Sequence, residues 1–262
     1  MFFKRKPKGG LSNIYHITIH KAGSQWLKSI FADAHIKKAS GLQLYNYEAD
    51  MKDGYDPRNL DRRTFDAPFP EGTIVSPIYM DYVNYTTIPK PDRFKTFYVI
   101  RDPRDLVVSH YFSKRYSHAL MGGIATIREK LNQMSVEDGM IFICQCLKGD
   151  GSFNAMRTWG QVPTKDKNTK VFRFEDLTGP DQMKHFKTLC RHLELDLPED
   201  KLEKILSQHS FQRLAHGRKQ GEENQNHHYR KGIHGDWKNY FSPKVEEAFA
   251  EKTGDLLNVL DY

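Results

Sequence analysis

The sequence of 262 residues contains only three cysteines, and this shortage excludes a fold held together by disulfide bonds. Cys144 and Cys146 lie in the apolar run MIFICQCL, which favours buried structural thiols, and Cys190 stands apart from them. An odd and sparse count is typical of a reducing compartment, so we expect a cytoplasmic protein. The cysteines form no set of zinc ligands, and we expect no metal.

Long hydrophobic runs are also lacking. No apolar stretch approaches the roughly 18 residues that a membrane-spanning helix requires, so we expect no membrane span. The opening residues, MFFKRKPKGG, are basic but lack the apolar centre and the cleavage site of a signal peptide. We interpret residues 1–12 as a disordered basic arm and residues 13–262 as one domain.

Negative charge is in short supply, because 40 Lys and Arg residues face 33 Asp and Glu residues, giving a net charge of +7. An excess of positive charge indicates an anionic ligand without identifying it. The basic residues are spread along the chain, and no aromatic–glycine RNA motif or zinc-finger spacing is present. Nucleic acid is therefore not an expected partner.

Short apolar strands alternate with helical patterns along the chain. The clearest strand patterns are Ile14–Ile19, Lys95–Ile100 and Lys170–Phe174. Asp102 and Ser135 are the expected caps of two of the helices. The alternation predicts the α/β class, with a single domain built on a central parallel sheet flanked by helices. Residues 37–72 are polar and turn-rich, which predicts a long connection with little regular structure. Residues 215–235 are predicted to form a loop.

One of these strands leads into a candidate anion site. In the stretch IYHITIHKAGSQW, Ile14–Ile19 form a strand, Lys21–Ser24 turn the chain, and Leu27, Ile30 and Phe31 have helical spacing. A strand, a glycine turn and a helix N-terminus together present backbone N–H groups that bind phosphate or sulfate. The order differs from the Walker pattern, GxxxxGK[ST]. An ordinary turn with an exposed Lys21 is the alternative.

A second candidate site follows the strand that ends at Ile100. Arg101 lies at the carboxyl end of that strand, where open parallel sheets bind ligands, and Ser109 follows about two helical turns later. The two side chains could hold another anionic group. The alternative is that Arg101 forms a surface ion pair with Asp102 or Asp105.

A third cluster lies near the end of the chain, in YRKGIHGDWK. Arg230 and Lys231 could bind a phosphate through their side chains, and Gly232 through its backbone. Two glycines would let this loop fold closely over a ligand. A basic loop that is merely solvated is the alternative.

Taken together, the three stretches resemble the sulfotransferases that use 3′-phosphoadenosine 5′-phosphosulfate (PAPS), particularly the cytosolic type. The family shows YPKSGTTW where this chain has IHKAGSQW, and R-[ND]-P-[KR]-D-x-x-V-S-Y-Y where it has RDPRDLVVSHY. Near the end the family shows RKGxxGDWKNxF and this chain has RKGIHGDWKNYF. The matches occur in the family's order and span residues 14–241. Departures from the family's pattern, such as Gln25, suggest a distant branch of the family, which could be bacterial.

The resemblance implies a role for each matching residue. The residues that would cradle the 5′-phosphosulfate are Lys21, Ala22, Gly23, Ser24, Gln25 and Trp26, with Trp26 against the adenine. The 3′-phosphate would be bound by Arg101 and Ser109 and covered by Arg230, Lys231 and Gly232. Further nucleotide contacts are implied for Ser210, Phe211 and Phe174, the last of which stands where the family often has a tyrosine.

The general base is the least determined part of the site. The family's catalytic His, in K-T-H-x-P, has no counterpart in Thr73–Asp81. A base must reach the proton of the acceptor, which leaves His20, Asp81, Tyr79 and Glu48 as candidates, each with a structural alternative. Lys21 is suited to stabilising negative charge on the leaving oxygen.

The sequence thus predicts transfer of a sulfuryl group from PAPS to a hydroxyl, or an amine, of a small-molecule or saccharide acceptor, with release of 3′-phosphoadenosine 5′-phosphate (PAP). Two alternatives stay open: a protein that binds PAP or PAPS without turnover, and a nucleotide-dependent kinase with a variant phosphate loop. The oligomeric state is also open, because the family's dimer motif, KxxxTVxxxE, is altered here at Ser242 and Pro243.

Overall fold

The structure, a computed structural model, describes residues 10–46, 59–120, 123–163 and 166–262. It divides into two compact units. The first comprises Met1–Tyr55, Arg62–Ile100 and Val162–His209, and the second comprises Asp56–Asp61, Arg101–Gln161 and Ser210–Tyr262, each so far as it is described. Most of the arm predicted for residues 1–12 lies outside the described residues. The single domain over residues 13–262 stays a prediction.

The first unit is built on a five-stranded parallel sheet. Its strands are β1 (Asn13–Thr18), β2 (Gln43–Tyr45), β3 (Thr73–Tyr79), β4 (Phe94–Ile100) and β5 (Thr169–Arg173). They lie in the order β2-β3-β1-β4-β5. Every residue of β1 and β3 is buried, as expected of central strands in a parallel sheet covered on both faces. The predicted α/β class and central parallel sheet are confirmed.

The register of the sheet places three strand ends together. Thr18, the last residue of β1, pairs with Tyr79 of β3 and with Val99 of β4. The connections that leave β1 and β3 therefore start side by side at the carboxyl edge, the edge where open parallel sheets bind ligands. The chain leaves β4 at Arg101, where the second unit begins.

The α-helices occur in both units. In chain order they are α1 (Ser24–Phe31), α2 (Ala34–Ser40), α3 (Tyr82–Thr87), α4 (Pro103–Phe112), α5 (Ile124–Asn132), α6 (Val136–Gly149), α7 (Ser152–Gly160), α8 (Phe174–Thr178), α9 (Gln182–His192), α10 (Glu199–Gln208), α11 (Phe211–Leu214), α12 (Pro243–Thr253) and α13 (Leu256–Leu260). Helices α1–α3 and α8–α10 belong to the first unit and the others to the second. Within the described ranges, none of them is both long and apolar enough to cross a membrane.

Local sequence explains where several helices begin. Asp102 accepts a hydrogen bond from the backbone N–H of Arg104 and Pro103 occupies the first turn of α4, as predicted. Ser135 caps α6 in the same way, also as predicted. A π-helix, Ser113–Ser117, continues α4 and was not predicted.

Two local predictions need correction. The stretch from residue 37 to residue 72 was expected to be irregular, but it contains the end of α2 and strand β2. Helix α2 buries only Ile36, so it lacks the apolar repeat by which helices are recognised. Strand β5 ends at Arg173, so that Phe174 begins α8 instead of ending the strand. Residues 215–235 carry no helix or strand, as predicted.

Candidate functional site

Residues 19–23 connect β1 to α1 and, with the first turn of α1, form the candidate anion-binding loop, called the anion loop below. Lys21 and Gly23 adopt left-handed conformations, with φ of 71° and 81°. Gly23 stands at the N-cap of α1 and has no side chain that could cap the helix. The first helical hydrogen bond runs from Leu27 N–H to the carbonyl of Gly23, at 2.9 Å. The N–H groups of residues 24–26, in the first turn of α1, therefore have no acceptor within the helix and could donate to an anion.

An aromatic ring explains why residue 23 is glycine. A Cβ atom at this position would lie 2.8 Å from Cε2 of Phe174, and its backbone conformation also disfavours other residues. Trp26 meets Phe174 edge-on at a centroid distance of 6.2 Å. The structure thus brings together Gly23, Trp26 and Phe174, the residues to which the resemblance assigns the phosphosulfate and the adenine.

A residue outside the three main motifs fixes the indole of Trp26. Its Nε1–H donates a hydrogen bond of 2.9 Å to the backbone carbonyl of His209. The imidazole Nδ1 of His209 lies 2.9 Å from Ser29 Oγ, one turn along α1. Burial lowers the pKa of His209, and the charge of Asp33 opposes that effect only in part. His209 adjoins Ser210, for which the resemblance implies a nucleotide contact, and this position was the one available signal for it.

Tyr79 connects the end of β3 to the anion loop. Its hydroxyl donates to Ser24 Oγ at 2.9 Å and accepts from Gln25 Nε2 at 3.4 Å. Its ring stacks on the imidazole of His20, with centroids 3.9 Å apart and planes inclined by 28°. Tyr79 is buried whereas His20 is half-buried, so a fixed ring supports a more accessible imidazole beside Lys21.

The other candidates for the base differ in their surroundings. Asp81 is buried and caps α3, accepting hydrogen bonds of 2.7 Å from both the backbone N–H and the side-chain amide of Asn84. That arrangement gives Asp81 a structural task at the start of a helix. Glu48 lies outside the described residues. His20 is the candidate that stands on the anion loop itself.

In the second unit, Asp105 and Ser109 are four residues apart in α4 and therefore lie on one side of that helix, whereas Arg101 precedes its N-cap residue, Asp102. The guanidinium of Arg101 lies 4.0 Å from the carboxylate of Asp105. Arg101 is 11% exposed and Asp105 is fully buried, so this contact differs from the surface ion pair considered as the alternative. Asp102 pairs with Arg104 at 2.8 Å.

The basic loop near the end of the chain is organised by a buried carboxylate. Asp236 accepts hydrogen bonds from Arg230 and from Lys231, the latter at 2.6 Å. Burial disfavours ionisation of Asp236, but these hydrogen bonds outweigh it and hold the pKa of the carboxyl below its usual value. Arg230 also pairs with Glu223 and lies over the ring of Phe112 at 4.2 Å. Two of the predicted phosphate ligands are thus held side by side.

Gly232 and Phe211 form the second close contact between a glycine and an aromatic ring. A Cβ atom on Gly232 would collide with Cδ2 of Phe211, and the φ of Gly232 is +69°. Ser210 caps α11 with a long hydrogen bond of 3.5 Å from Arg213 N–H. Arg218 donates to the carbonyls of Tyr229 and Arg230 at 2.6 and 2.7 Å, which fixes the start of the loop. Nothing in the sequence distinguishes Arg218 from other arginines.

No group of three His, Cys, Asp or Glu side chains suitable for a metal ion occurs within the described ranges. The three cysteines are free, and burial raises the pKa of the Cys144 thiol to about 12. This environment fits the buried structural thiol predicted for Cys144, whereas Cys146 of the same apolar run is only half-buried.

Comparison with known proteins finds relatives in the family that the sequence motifs resemble. The chain is 29% identical to sulfotransferase 2A1 of Rattus norvegicus over 174 residues, covering 59% of this chain and 54% of the relative. It is 30% identical to sulfotransferase 2A6 of Mus musculus, covering 59% and 53%. The chain thus spans about half the length of the curated relatives that it matches.

Solved structures share the fold. Mouse sulfotransferase SULT7A1 complexed with PAP superposes with a TM-score of 0.65 at 23% identity, over 94% of this chain and 84% of that chain. Retinol dehydratase in complex with androsterone and the inactive cofactor PAP gives a TM-score of 0.58 at 16% identity, over 95% and 82%. The family model described as the sulfotransferase domain matches residues 12–259. This chain therefore belongs to the sulfotransferase family.

Proposed function

We propose that this protein transfers a sulfuryl group from PAPS to a hydroxyl or amine acceptor and releases PAP. The observation that carries the proposal is the loop from Lys21 to Trp26, which combines a cation, a glycine pressed against Phe174 and an uncapped helix N-terminus. Family membership supports sulfonate transfer in general, and two structural neighbours contain PAP.

The first unit supplies groups that fit the 5′-phosphosulfate and the adenine. The N–H groups at the start of α1 would bind the phosphosulfate oxygens, because they have no helical acceptor. The absence of a Cβ atom at Gly23 lets the ring of Phe174 lie directly against the loop. Trp26 and Phe174 would provide apolar surfaces for the base.

The second unit supplies groups that fit a 3′-phosphate. Arg101 precedes α4 and lies 4.0 Å from Asp105, and Ser109 lies four residues after Asp105 in that helix. Arg230 and Lys231 are held together by Asp236. Guanidinium groups suit a phosphate because they donate paired hydrogen bonds in a planar arrangement. Gly232 would add a backbone donor to this set.

PAPS would supply the activated sulfuryl group. The side chains of this protein would stabilise negative charge and accept a proton. Lys21 would stabilise the negative charge that develops on the leaving oxygen, an effect that is large where the positive charge is already in place. His20 would take the proton of the acceptor hydroxyl, becoming an imidazolium ion held against the ring of Tyr79. Asp81 stays the alternative base, although its helix cap opposes that role.

For the acceptor we propose a small-molecule alcohol, with a saccharide hydroxyl or an amine as the competing possibilities. The retinol dehydratase structures contain androsterone or retinol, both small molecules. We also propose a cytoplasmic protein, in keeping with its free cysteines.

Calorimetric titration with PAP and with ATP tests the nucleotide assignment. The wild type should bind PAP tightly and ATP weakly, and Lys21→Ala and Arg101→Ala should each weaken PAP binding by about tenfold or more. Lys28→Ala, which removes a lysine from the last turn of α1, is the matched control and should bind PAP normally. Equal affinity for ATP, with a magnesium requirement, would instead favour the kinase alternative.

Turnover tests the chemistry. Sulfuryl transfer from labelled PAPS is measured with panels of alcohols, amines and saccharides. His20→Asn should lower kcat by about 10²- to 10⁴-fold and leave PAP affinity unchanged, because general-base catalysis contributes on that order. Asp81→Asn should keep its helix cap and retain activity. Tight PAP binding without turnover on any acceptor would favour the non-catalytic alternative.

A further inference from the structure

We propose that Asp105 is a positioning residue that aligns two phosphate-binding segments of the second unit, Arg101–Ser109 and the loop Arg230–Trp237. The inference rests on the proposed function, since it assigns Asp105 to the binding of the 3′-phosphate of that nucleotide. Asp105 does not touch the phosphate. It sets the distance between the groups that do.

The contacts of Asp105 reach across the sequence. One carboxylate oxygen accepts a hydrogen bond of 2.6 Å from Gly235 N–H, and the other accepts one of 2.9 Å from Trp237 N–H. The guanidinium of Arg101 lies 4.0 Å away. The side chain of Asp105 is fully buried, and a buried carboxylate is tolerated only when its oxygens are satisfied in this way. Both oxygens are therefore committed to the loop.

From there the contacts continue to the basic side chains of the loop. Asp236 lies between the two residues whose N–H groups Asp105 binds, so its backbone is held at both sides. Its own carboxylate then holds Arg230 and Lys231. Asp105 thus fixes Arg101 through its charge, and it fixes Arg230 and Lys231 through the backbone around Asp236.

Two further features make this link rigid. The guanidinium of Arg104, one residue before Asp105, lies 3.9 Å from the centre of the Trp237 ring, so α4 and the loop touch at a second point. Gly235 has a φ of +77°, a conformation that residues other than glycine adopt only with strain. The loop therefore enters its contact with Asp105 through a turn that suits glycine.

Asp102, the N-cap residue of α4, differs from Asp105 because its hydrogen bonds are local. Its carboxylate accepts hydrogen bonds from the backbone and side chain of Arg104, two residues away, and serves as a local cap. An asparagine at position 102 keeps that cap. An asparagine at position 105 would turn its amide N–H₂ towards one of the two backbone donors and remove the charge beside Arg101.

The test compares the affinity for PAP with that for adenosine 5′-monophosphate, which lacks the 3′-phosphate. The Asp105→Asn variant should bind PAP about tenfold or more weakly, because hydrogen bonds to a charged group are among the stronger ones. Its affinity for adenosine 5′-monophosphate should change by less than about threefold. The Asp102→Asn control should keep both affinities. A gentler variant, Gly235→Ala, strains the same link from the loop side and should show the same selective loss.

The wild type separates the two possible failures. If the wild type binds both nucleotides equally, no 3′-phosphate site exists, and the proposed function and this inference fall together. If the wild type prefers PAP but Asp105→Asn and Gly235→Ala keep that preference, the inference alone is wrong. A loss of both affinities in equal proportion would also overturn it, because that pattern indicates a purely structural role.

Discussion

Two glycines, one in each unit, combine a left-handed backbone with close contact to an aromatic ring. Gly23 lies against Phe174 and Gly232 lies against Phe211. At each position a side chain would meet both backbone strain and a steric clash, so each glycine is required for two separate reasons. Both glycines were assigned to nucleotide binding from sequence, and the structure adds the ring that each contacts.

Gly23→Ala tests the contact with Phe174. We expect this variant to lose about 1–3 kcal/mol more unfolding free energy than a glycine variant that suffers only backbone strain. Gly72→Ala is such a control, because Gly72 has a φ of +78° and a Cβ atom there meets nothing within 4 Å. Urea unfolding of both variants gives the difference. Equal losses would mean that the ring of Phe174 moves aside without cost.

Tyr79 performs two tasks that different substitutions separate. Tyr79→Phe removes the hydrogen bonds to Ser24 and from Gln25 but keeps the ring that stacks on His20. Tyr79→Leu removes both the hydroxyl and the ring. We expect the Phe variant to weaken PAP binding by about two- to tenfold with little change in kcat, because two neutral hydrogen bonds are lost.

The Leu variant should additionally lower kcat, because the imidazole of His20 loses its support. Binding and turnover measured on the same preparations distinguish the two effects. Identical kcat values for the Phe and Leu variants would show that stacking does not position His20.

At the scale of elements, the sequence predicted those whose cause is local. The strand–turn–helix at Ile14–Phe31 is marked by its apolar pattern and glycine, and α4 by its Asp-Pro start. Helix α2 and strand β2 were missed because each is short and buries few residues. The contact between Asp105 and Gly235 spans 130 residues, and no local pattern encodes such a distance.

The same limit explains which site residues were found. Residues inside a quoted motif received roles, including Lys21, Arg101 and Arg230. Asp236 lies in one of these motifs but received none, and Asp105 was named only as an alternative ion-pair partner of Arg101, because their tasks are contacts with backbone and with other side chains. These contacts can be recognised only in the folded structure, where α4 and the loop Arg230–Trp237 lie together.

The loop of residues 215–235 contains a carboxylate, Glu223, that pairs with Arg230, a proposed ligand of the 3′-phosphate. Glu223 pairs with Arg230 and is 28% exposed, whereas Asp236, the other partner of Arg230, is only 1% exposed. We expect an incoming phosphate to displace the more exposed Glu223. Glu223→Gln should therefore bind PAP about two- to tenfold more tightly, because a competing ion pair is removed.

Glu222→Gln is the matched control, since it makes the same change of charge at the neighbouring position. Glu222 accepts a hydrogen bond from Lys219 N–H, and in the part of the chain that the structure describes it forms no ion pair with Arg230. Calorimetry with PAP at one ionic strength compares the two variants. Equal gains in affinity would point to a general electrostatic effect and not to competition for Arg230.

At the scale of the whole molecule, buried ionisable groups couple stability to pH in opposite directions. Burial lowers the pKa of His16 to about 3, and burial raises the pKa of Asp150 to about 6. Between about pH 6.5 and pH 3, His16 is protonated in the unfolded chain but not in the folded protein. The free energy of unfolding therefore decreases as the pH falls through this range. Asp150 acts oppositely, because below about pH 6 the folded protein binds its proton more readily than the unfolded chain.

Comparison of variants isolates the contribution of His16. Its ring stacks on Phe97 at 4.6 Å, and its Nδ1 lies 2.8 Å from Ser76 Oγ, so His16→Gln keeps a polar partner for Ser76 but removes the titration. At about pH 7.5 the variant should be less stable than the wild type, because the stacking is lost. As the pH falls to about 5, the wild type should lose about 2 kcal/mol of unfolding free energy that the variant does not lose, at 1.36 kcal/mol for each pH unit below about 6.5.

Urea unfolding of both proteins across this pH range measures the difference in unfolding free energy between the wild type and His16→Gln, which should become smaller as the pH falls. The effects of Asp150 and the other titrating groups cancel in this comparison. If this difference in unfolding free energy stays constant with pH, the imidazole of His16 accepts a proton in the folded state. The buried centre of β1, which positions the whole anion loop, would then admit a charge that its surroundings are expected to exclude.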